Sequence, residues 1–75
     1  ELTEAYIVAG ENYVYLHQYE QAKTVLDKAK AVLTPHPQSN LYLIYYYAEG
    51  AYYDNLRQYP AALNSYSQGI DLASR

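Results

Sequence analysis

Few residues in this chain have the types and spacing for chemistry. His17 and His36 are its only histidines, and cysteine is absent from all 75 residues. His17 with Glu20 or Glu49 is the one pairing that suggests a metal, and two ligands without a third do not make a zinc site. The serines Ser39, Ser65, Ser67 and Ser74 fall at a predicted helix cap or on one late helix, with no histidine close in sequence. Gly10, Gly50 and Gly69 are too far apart to build a loop that cradles phosphate. The expectation is therefore a non-catalytic protein without metal or cofactor. What is chemically unusual is tyrosine, with twelve copies and no Phe, Trp or Met. Its apolar ring and polar tip suit half-buried positions in thin layers and interfaces.

The elements that position these residues say the same thing twice. Tyr6, Gly10, Tyr13, Leu16, Gln18, Tyr19 and Ala22 recur as Tyr46, Gly50, Tyr53, Leu56, Gln58, Tyr59 and Ala62, each 40 positions later. A fixed period of this size marks a stacked repeat. Leu2 to Leu16 reads as a helix, with Tyr6, Ala9, Gly10 and Tyr13 on one face and Thr3 as its expected cap. Gly10 costs about 1 kcal/mol relative to Ala in a helix interior, so close approach of a second helix is the expected reason for it. His17 to Tyr19 is a short connection. Glu20 to Leu33 reads as a second helix, whose apolar stripe is Ala22, Val25, Leu26, Ala29, Val32 and Leu33. Lys23, Asp27 and Lys30 lie opposite, as a solvated face with ion-pair spacing.

Thr34 to Asn40 is the one clear break, because Pro35 and Pro37 lack backbone donors and restrict their preceding residues. Ser39 or Asn40 is placed to cap the third helix, Leu41 to Leu56. That helix carries Tyr42, Tyr45, Tyr46, Tyr47, Tyr52 and Tyr53 on several faces, so more than one face should be covered. Arg57 to Tyr59 connects again. Pro60 then sits in the first turn of a fourth helix, where its missing donor is harmless. Ala62, Leu63, Tyr66, Gly69, Ile70 and Leu72 carry the apolar pattern to the end. The result is an all-α chain of four helices in two antiparallel hairpins, one domain over residues 1–75, with repeats at 2–33 and 41–74 and a linker at 34–40.

A chain this short is near the size where one core barely suffices. The net charge of -3 argues against nucleic acid or an anionic membrane as a partner. The longest apolar run, Leu41 to Ala48, falls far short of the roughly 20 residues a span needs. Without a signal peptide or cysteine, a cytoplasmic setting is expected, and the missing initiator Met suggests a segment of a longer protein.

With these elements in hand, the chain resembles the tetratricopeptide repeat family, whose pattern runs aromatic, leucine-glycine, tyrosine on one helix and alanine, aromatic, proline on the next. The first copy reads Tyr6, Ala9, Gly10, Tyr13, Ala22, Leu26 with Ala29 as the small residue a turn later. The second reads Tyr46, Glu49, Gly50, Tyr53, Ala62, Tyr66 with Gly69. Three departures stand out. The period is 40 rather than the family's 34. Glu49 replaces an apolar residue, as a rim carboxylate, a paired partner or a mark of different packing. The closing proline is displaced in the first copy, at Pro35, and absent from the second.

The resemblance implies a short right-handed solenoid in which the first helix of each hairpin lines a concave groove. Carried over, the lining is Glu4, Ile7, Val8, Glu11 and Tyr15, then Tyr47, Ala48, Ala51, Asp54 and Asn55. The basic residues with which family members grip acidic chaperone tails are missing, which rejects that role. An apolar, aromatic, mildly acidic groove favours a peptide with apolar anchors, and the Asn55 amide both donates and accepts. Leu63, Ile70 and Leu72 are expected to be left open for a neighbouring repeat or a homodimer, because such repeats need about three units for stability. The expected function is a protein or peptide interaction module. The alternatives are the peptide-sensing segment of a bacterial transcriptional regulator, or a scaffold segment that self-associates through its uncapped ends.

Overall fold

Two turns without glycine set the architecture. His17 and Arg57, 40 positions apart, both adopt left-handed backbone, with φ of 60° and 61°. Each closes the same hydrogen-bonded cap. Gln18 N–H donates to the Tyr13 carbonyl at 2.8 Å and His17 N–H to Val14 at 3.0 Å. Gln58 N–H donates to Tyr53 at 2.9 Å and Arg57 N–H to Asp54 at 3.0 Å. This pair of bonds is the Schellman motif, which satisfies carbonyls that a helix end otherwise leaves open. The 40-residue period is thus written in the backbone as well as in residue types.

The computed structural model describes residues 2–74. These form four helices, α1 (Leu2–Tyr15), α2 (Tyr19–Leu33), α3 (Leu41–Asn55) and α4 (Tyr59–Ala73), and no strand among the described residues. The left-handed caps explain why α1 and α3 stop one residue before the sequence pattern suggests, and why Tyr19 and Tyr59 already belong to the following helices. Thr3 is not a cap: it lies inside α1, only 2% exposed. Asn40 occupies the N-cap position of α3 without a side-chain bond, and Ser39 Oγ instead accepts from Leu41 N–H at 3.2 Å. Lys23 and Asp27 form the expected ion pair at 3.3 Å, but both are well exposed and the pair contributes little.

α1 packs on α2, and α3 on α4; α3 also touches both α1 and α2, whereas α4 touches α3 alone among the described helices. The arrangement is a slab with principal extents of 31 × 27 × 15 Å. Its core joins Ile7 of α1, Leu26, Ala29 and Leu33 of α2, and Tyr45 and Ala48 of α3. The buried face of α1 is Thr3, Ile7, Gly10 and Val14, with Tyr6, Ala9 and Tyr13 only half-buried on its flank. In α2 the stripe is Ala22, Leu26, Ala29 and Leu33, while Val32 is exposed. Gly10 has the reason expected of it. A Cβ there would lie 2.7 Å from Leu26 Cδ2 and 2.9 Å from Leu26 Cγ, inside contact distance.

A slab this thin leaves most side chains near a surface, and the hydroxyls of Tyr19, Tyr42 and Tyr45 find partners. Tyr42 donates to the Leu33 carbonyl at 2.8 Å, tying α3 to the open end of α2. Tyr19 of α2 meets Tyr52 of α3 edge-on, at 6.5 Å between centroids. Among the described residues no buried side-chain nitrogen or oxygen lacks a hydrogen bond. This partnering accounts for hydroxyls at these positions; nothing in the structure explains the absence of Phe elsewhere.

The caps yield one prediction. A non-glycine residue in the left-handed region is strained by about 1–2 kcal/mol, and glycine returns about 0.5–1 kcal/mol of that as backbone entropy. Arg57→Gly should therefore raise stability by about 0.5–1 kcal/mol in urea unfolding, since Arg57 is exposed. A loss of stability would contradict the left-handed cap.

Candidate functional site

α3 is the central helix, and its two opposite faces open onto two different hollows. The first lies between α1 and α3, a cleft of about 450 Å³ lined by Glu11, Val14, Tyr15, His17, Tyr47, Ala48, Ala51 and Asn55. α1 presents Glu11, Val14 and Tyr15 at helical spacing, and α3 presents Tyr47, Ala51 and Asn55 one turn apart on its facing side. Tyr15 is 83% exposed and Tyr47 43% exposed, so two aromatic rings stand at the mouth with little to cover them.

Of the ten residues expected to line a groove, six meet here: Glu11, Tyr15, Tyr47, Ala48, Ala51 and Asn55. Ile7 does not line it, being fully buried in the core and touching no solvent-facing hollow. Ala48 reaches the cleft floor but is itself 2% exposed, so it shapes the wall rather than offering surface. Glu4, Val8 and Asp54 are exposed outside the cleft. Val14 and His17 are additions. Val14 was readable as the residue one turn beyond Gly10. His17 arrives only through the left-handed cap, which carries no residue signature. Its Nδ1 is hydrogen bonded to the Tyr19 hydroxyl at 2.7 Å. The Asn55 amide nitrogen donates to the Ala51 carbonyl at 2.8 Å, which leaves its amide oxygen and second N–H without a bond among the described residues.

The second hollow, about 330 Å³, lies between α2 and α4 with α3 as its floor. Glu49 sits there as the acceptor for two buried hydroxyls. Its Oε2 accepts from Tyr45 at 2.7 Å and its Oε1 from Ser65 Oγ at 2.9 Å. Of the three readings of Glu49, the paired partner is the one the geometry supports. Tyr45 is 2% exposed and Ser65 1%. Burial, and then the bond to Glu49, push the Tyr45 phenol far above its ordinary pKa, so it donates at every physiological pH.

Of the α4 residues expected to be left open, Leu63 and Ile70 are exposed and Leu72 is not. Leu63 is 65% and Ile70 58% exposed. They occupy the register of Lys23 and Lys30, the solvent face of α2. Ser65 takes the inward position instead, because Glu49 gives its hydroxyl a partner. Leu72 is half-buried beside Pro37 and Tyr42. Ile7, Leu26 and Ala29 join α3 residues in one core, and 40 positions on they become Tyr47, Tyr66 and Gly69.

No three His, Cys, Asp or Glu side chains among the described residues converge as a metal site, and no described helix is long and apolar enough to cross a membrane. No protein-family model, curated protein or solved structure matches the chain.

Proposed function

We propose that this chain is a tetratricopeptide-like interaction module, in which two antiparallel hairpins stack and the α1/α3 cleft receives a peptide. The observation that carries the reading is the cleft itself, with six sequence-nominated residues from two helices around one space of about 450 Å³. The duplicated caps at His17 and Arg57 and the pairing of α1 with α2 and α3 with α4 support the repeat. The ligand is a peptide with aromatic or aliphatic anchors seated against Tyr15 and Tyr47. A basic residue would sit near Glu11, and a backbone N–H would meet the Asn55 amide oxygen. Groove recognition of this type draws most of its energy from a few anchors.

The test is selection from a random peptide library against the intact chain, followed by titration of the selected peptide. Tyr47→Ala and Asn55→Ala should each weaken binding by roughly 5- to 30-fold, equivalent to about 1–2 kcal/mol. Both residues are exposed, so helicity should persist. Unchanged affinity in both variants would refute the cleft as the site.

A second reading, self-association through the end face, is favoured by the register. Tyr47 is 43% exposed where its counterpart Ile7 is fully covered. Tyr47, Tyr66 and Gly69 thus offer a further hairpin, or a second copy, the same kind of surface that α1 and α2 offer α3. Light scattering across concentration separates the readings. A concentration-independent monomer favours the free cleft, and reversible assembly favours the end face.

A further inference from the structure

We propose that the hollow between α2 and α4 is a second binding site, built around Glu49 and taking a guanidinium group such as an arginine side chain. It is independent of the α1/α3 cleft, being on the opposite face of α3.

The repeat supplies an internal control. Tyr45, Glu49 and Ser65 are hydrogen bonded to one another, and all three are polar. Their counterparts 40 positions earlier are Ala5, Ala9 and Val25, all apolar. The first hairpin packs without a carboxylate, so the architecture does not demand one here. The second hairpin carries the complete set, a carboxylate and the two hydroxyls that hold it. A polar group placed in half-buried surroundings costs stability unless it is partnered, and this one is partnered in a way that fixes its orientation at the floor of an open hollow.

The capacity left at the floor of the hollow is that of an acceptor, which suits a cation. The Tyr45 hydroxyl points to Glu49, the Ser65 hydroxyl is shared between Glu49 and the Ala61 carbonyl, and the Tyr42 hydroxyl is bonded to the Leu33 carbonyl, so none of the three is open to donate to an anion. Each Glu49 oxygen takes one hydroxyl bond and retains acceptor capacity. Tyr42 and Tyr46 stack at 5.7 Å between centroids and line the same hollow, adding aromatic surface beside the carboxylate. A guanidinium matches this set: it is planar, forks to a carboxylate and stacks on aromatic rings. Glu49 forms no ion pair among the described residues. Lys30 lines the hollow from α2 and is the only cation among its lining residues, so it competes for Glu49. The chain's net charge of -3 adds a weak general attraction for a basic partner.

The experiment is a titration of the intact, isotope-labelled chain with N-acetyl-arginine methylamide, followed by amide and tyrosine-ring NMR shifts. The neutral citrulline analogue is the control. Saturable shifts should appear at Tyr45, Tyr46, Glu49, Ser65 and Gln68 in the millimolar range, and the citrulline compound should bind at least about tenfold more weakly. Glu49→Gln, with helicity checked, should abolish the difference between the two probes. Lys30→Gln, at an exposed site that leaves the fold alone, should tighten the arginine compound roughly twofold by removing the competing cation. Equal binding of the two probes, shifts confined to Glu11, Tyr15 and Asn55, absence of saturable shifts, or no effect of Lys30→Gln would each overturn the proposal. None of these outcomes depends on whether the α1/α3 cleft binds a peptide.

Discussion

Ile7→Ala should lower the stability of the chain by about 2–5 kcal/mol, the range for truncating a fully buried aliphatic side chain. Ile7 is 0% exposed and joins α1 to Leu26, Ala29 and Leu33 of α2 and to Tyr45 and Ala48 of α3. Alanine removes three carbons from the point where three helices meet, and a neighbour cannot fill the gap without shifting a helix. A domain of this length has a total stability of about 4–11 kcal/mol at 0.05–0.15 kcal/mol per residue. The loss is therefore a large fraction of the whole, and the melting temperature should fall by at least about 10 °C. The adjacent Val8 is 49% exposed, and Val8→Ala should change stability by no more than about 0.5 kcal/mol. The contrast also separates the core from the cleft. A small effect at Ile7, similar to that at Val8, would mean that this face of α1 looks outward and that Ile7 belongs with the ligand-facing residues after all.

What could be read in the sequence, and what could not, follows from how each feature is encoded. Four helices were legible because Pro35 and Pro37 break the chain once and the apolar positions of α2 follow helical spacing without ambiguity. The close approach at Gly10 was legible because a helical glycine is costly enough to require a cause. The inward face of α1 was not, because Tyr6 and Tyr13 are amphipathic and mimic an apolar stripe beside the true one at Ile7, Gly10 and Val14. In α4 only part of the pattern was legible. Leu63 and Ile70 are exposed as expected, whereas Ser65 looks like surface and is buried because Glu49, 16 positions away, accepts a hydrogen bond from its hydroxyl. No periodicity shows such a pairing. The left-handed caps at His17 and Arg57 were hidden because the two positions share a backbone conformation but not a residue type. The cleft was half-legible. Tyr47, Ala48, Ala51 and Asn55, carried over from the family resemblance, share one face of α3 with the cleft, whereas Glu4, Ile7, Val8 and Asp54, carried over with them, lie elsewhere.

Gly50→Ala should destabilise the chain by about 1–2 kcal/mol, against the helix propensity that favours alanine by about 1 kcal/mol. Gly50 lies in the middle of α3, where propensity alone predicts a gain. A Cβ there would lie 2.6, 2.7 and 2.9 Å from Cε1, Cδ1 and Cζ of Tyr66 on α4. Carbon atoms pack at about 3.5–4.0 Å, so the ring or the helix must move by nearly 1 Å. A tyrosine ring is rigid, and Tyr66 is further held against Tyr47 at 6.3 Å between centroids. Gly69 on α4 is the counterexample, since its Cβ would meet Tyr46 Cβ at 3.5 Å and Tyr47 Cε1 at 3.7 Å, ordinary contacts. Gly69→Ala should therefore stabilise by up to about 1 kcal/mol. The decisive measurement is a double-mutant cycle in urea. With Tyr66→Ala as background the obstructing ring is gone, and Gly50→Ala should change sign and become stabilising. If it destabilises equally in both backgrounds, the α3–α4 approach is not what requires glycine. The 16-residue relation that pairs Gly10 with Leu26 and Gly50 with Tyr66 would then lose its physical basis in the second hairpin.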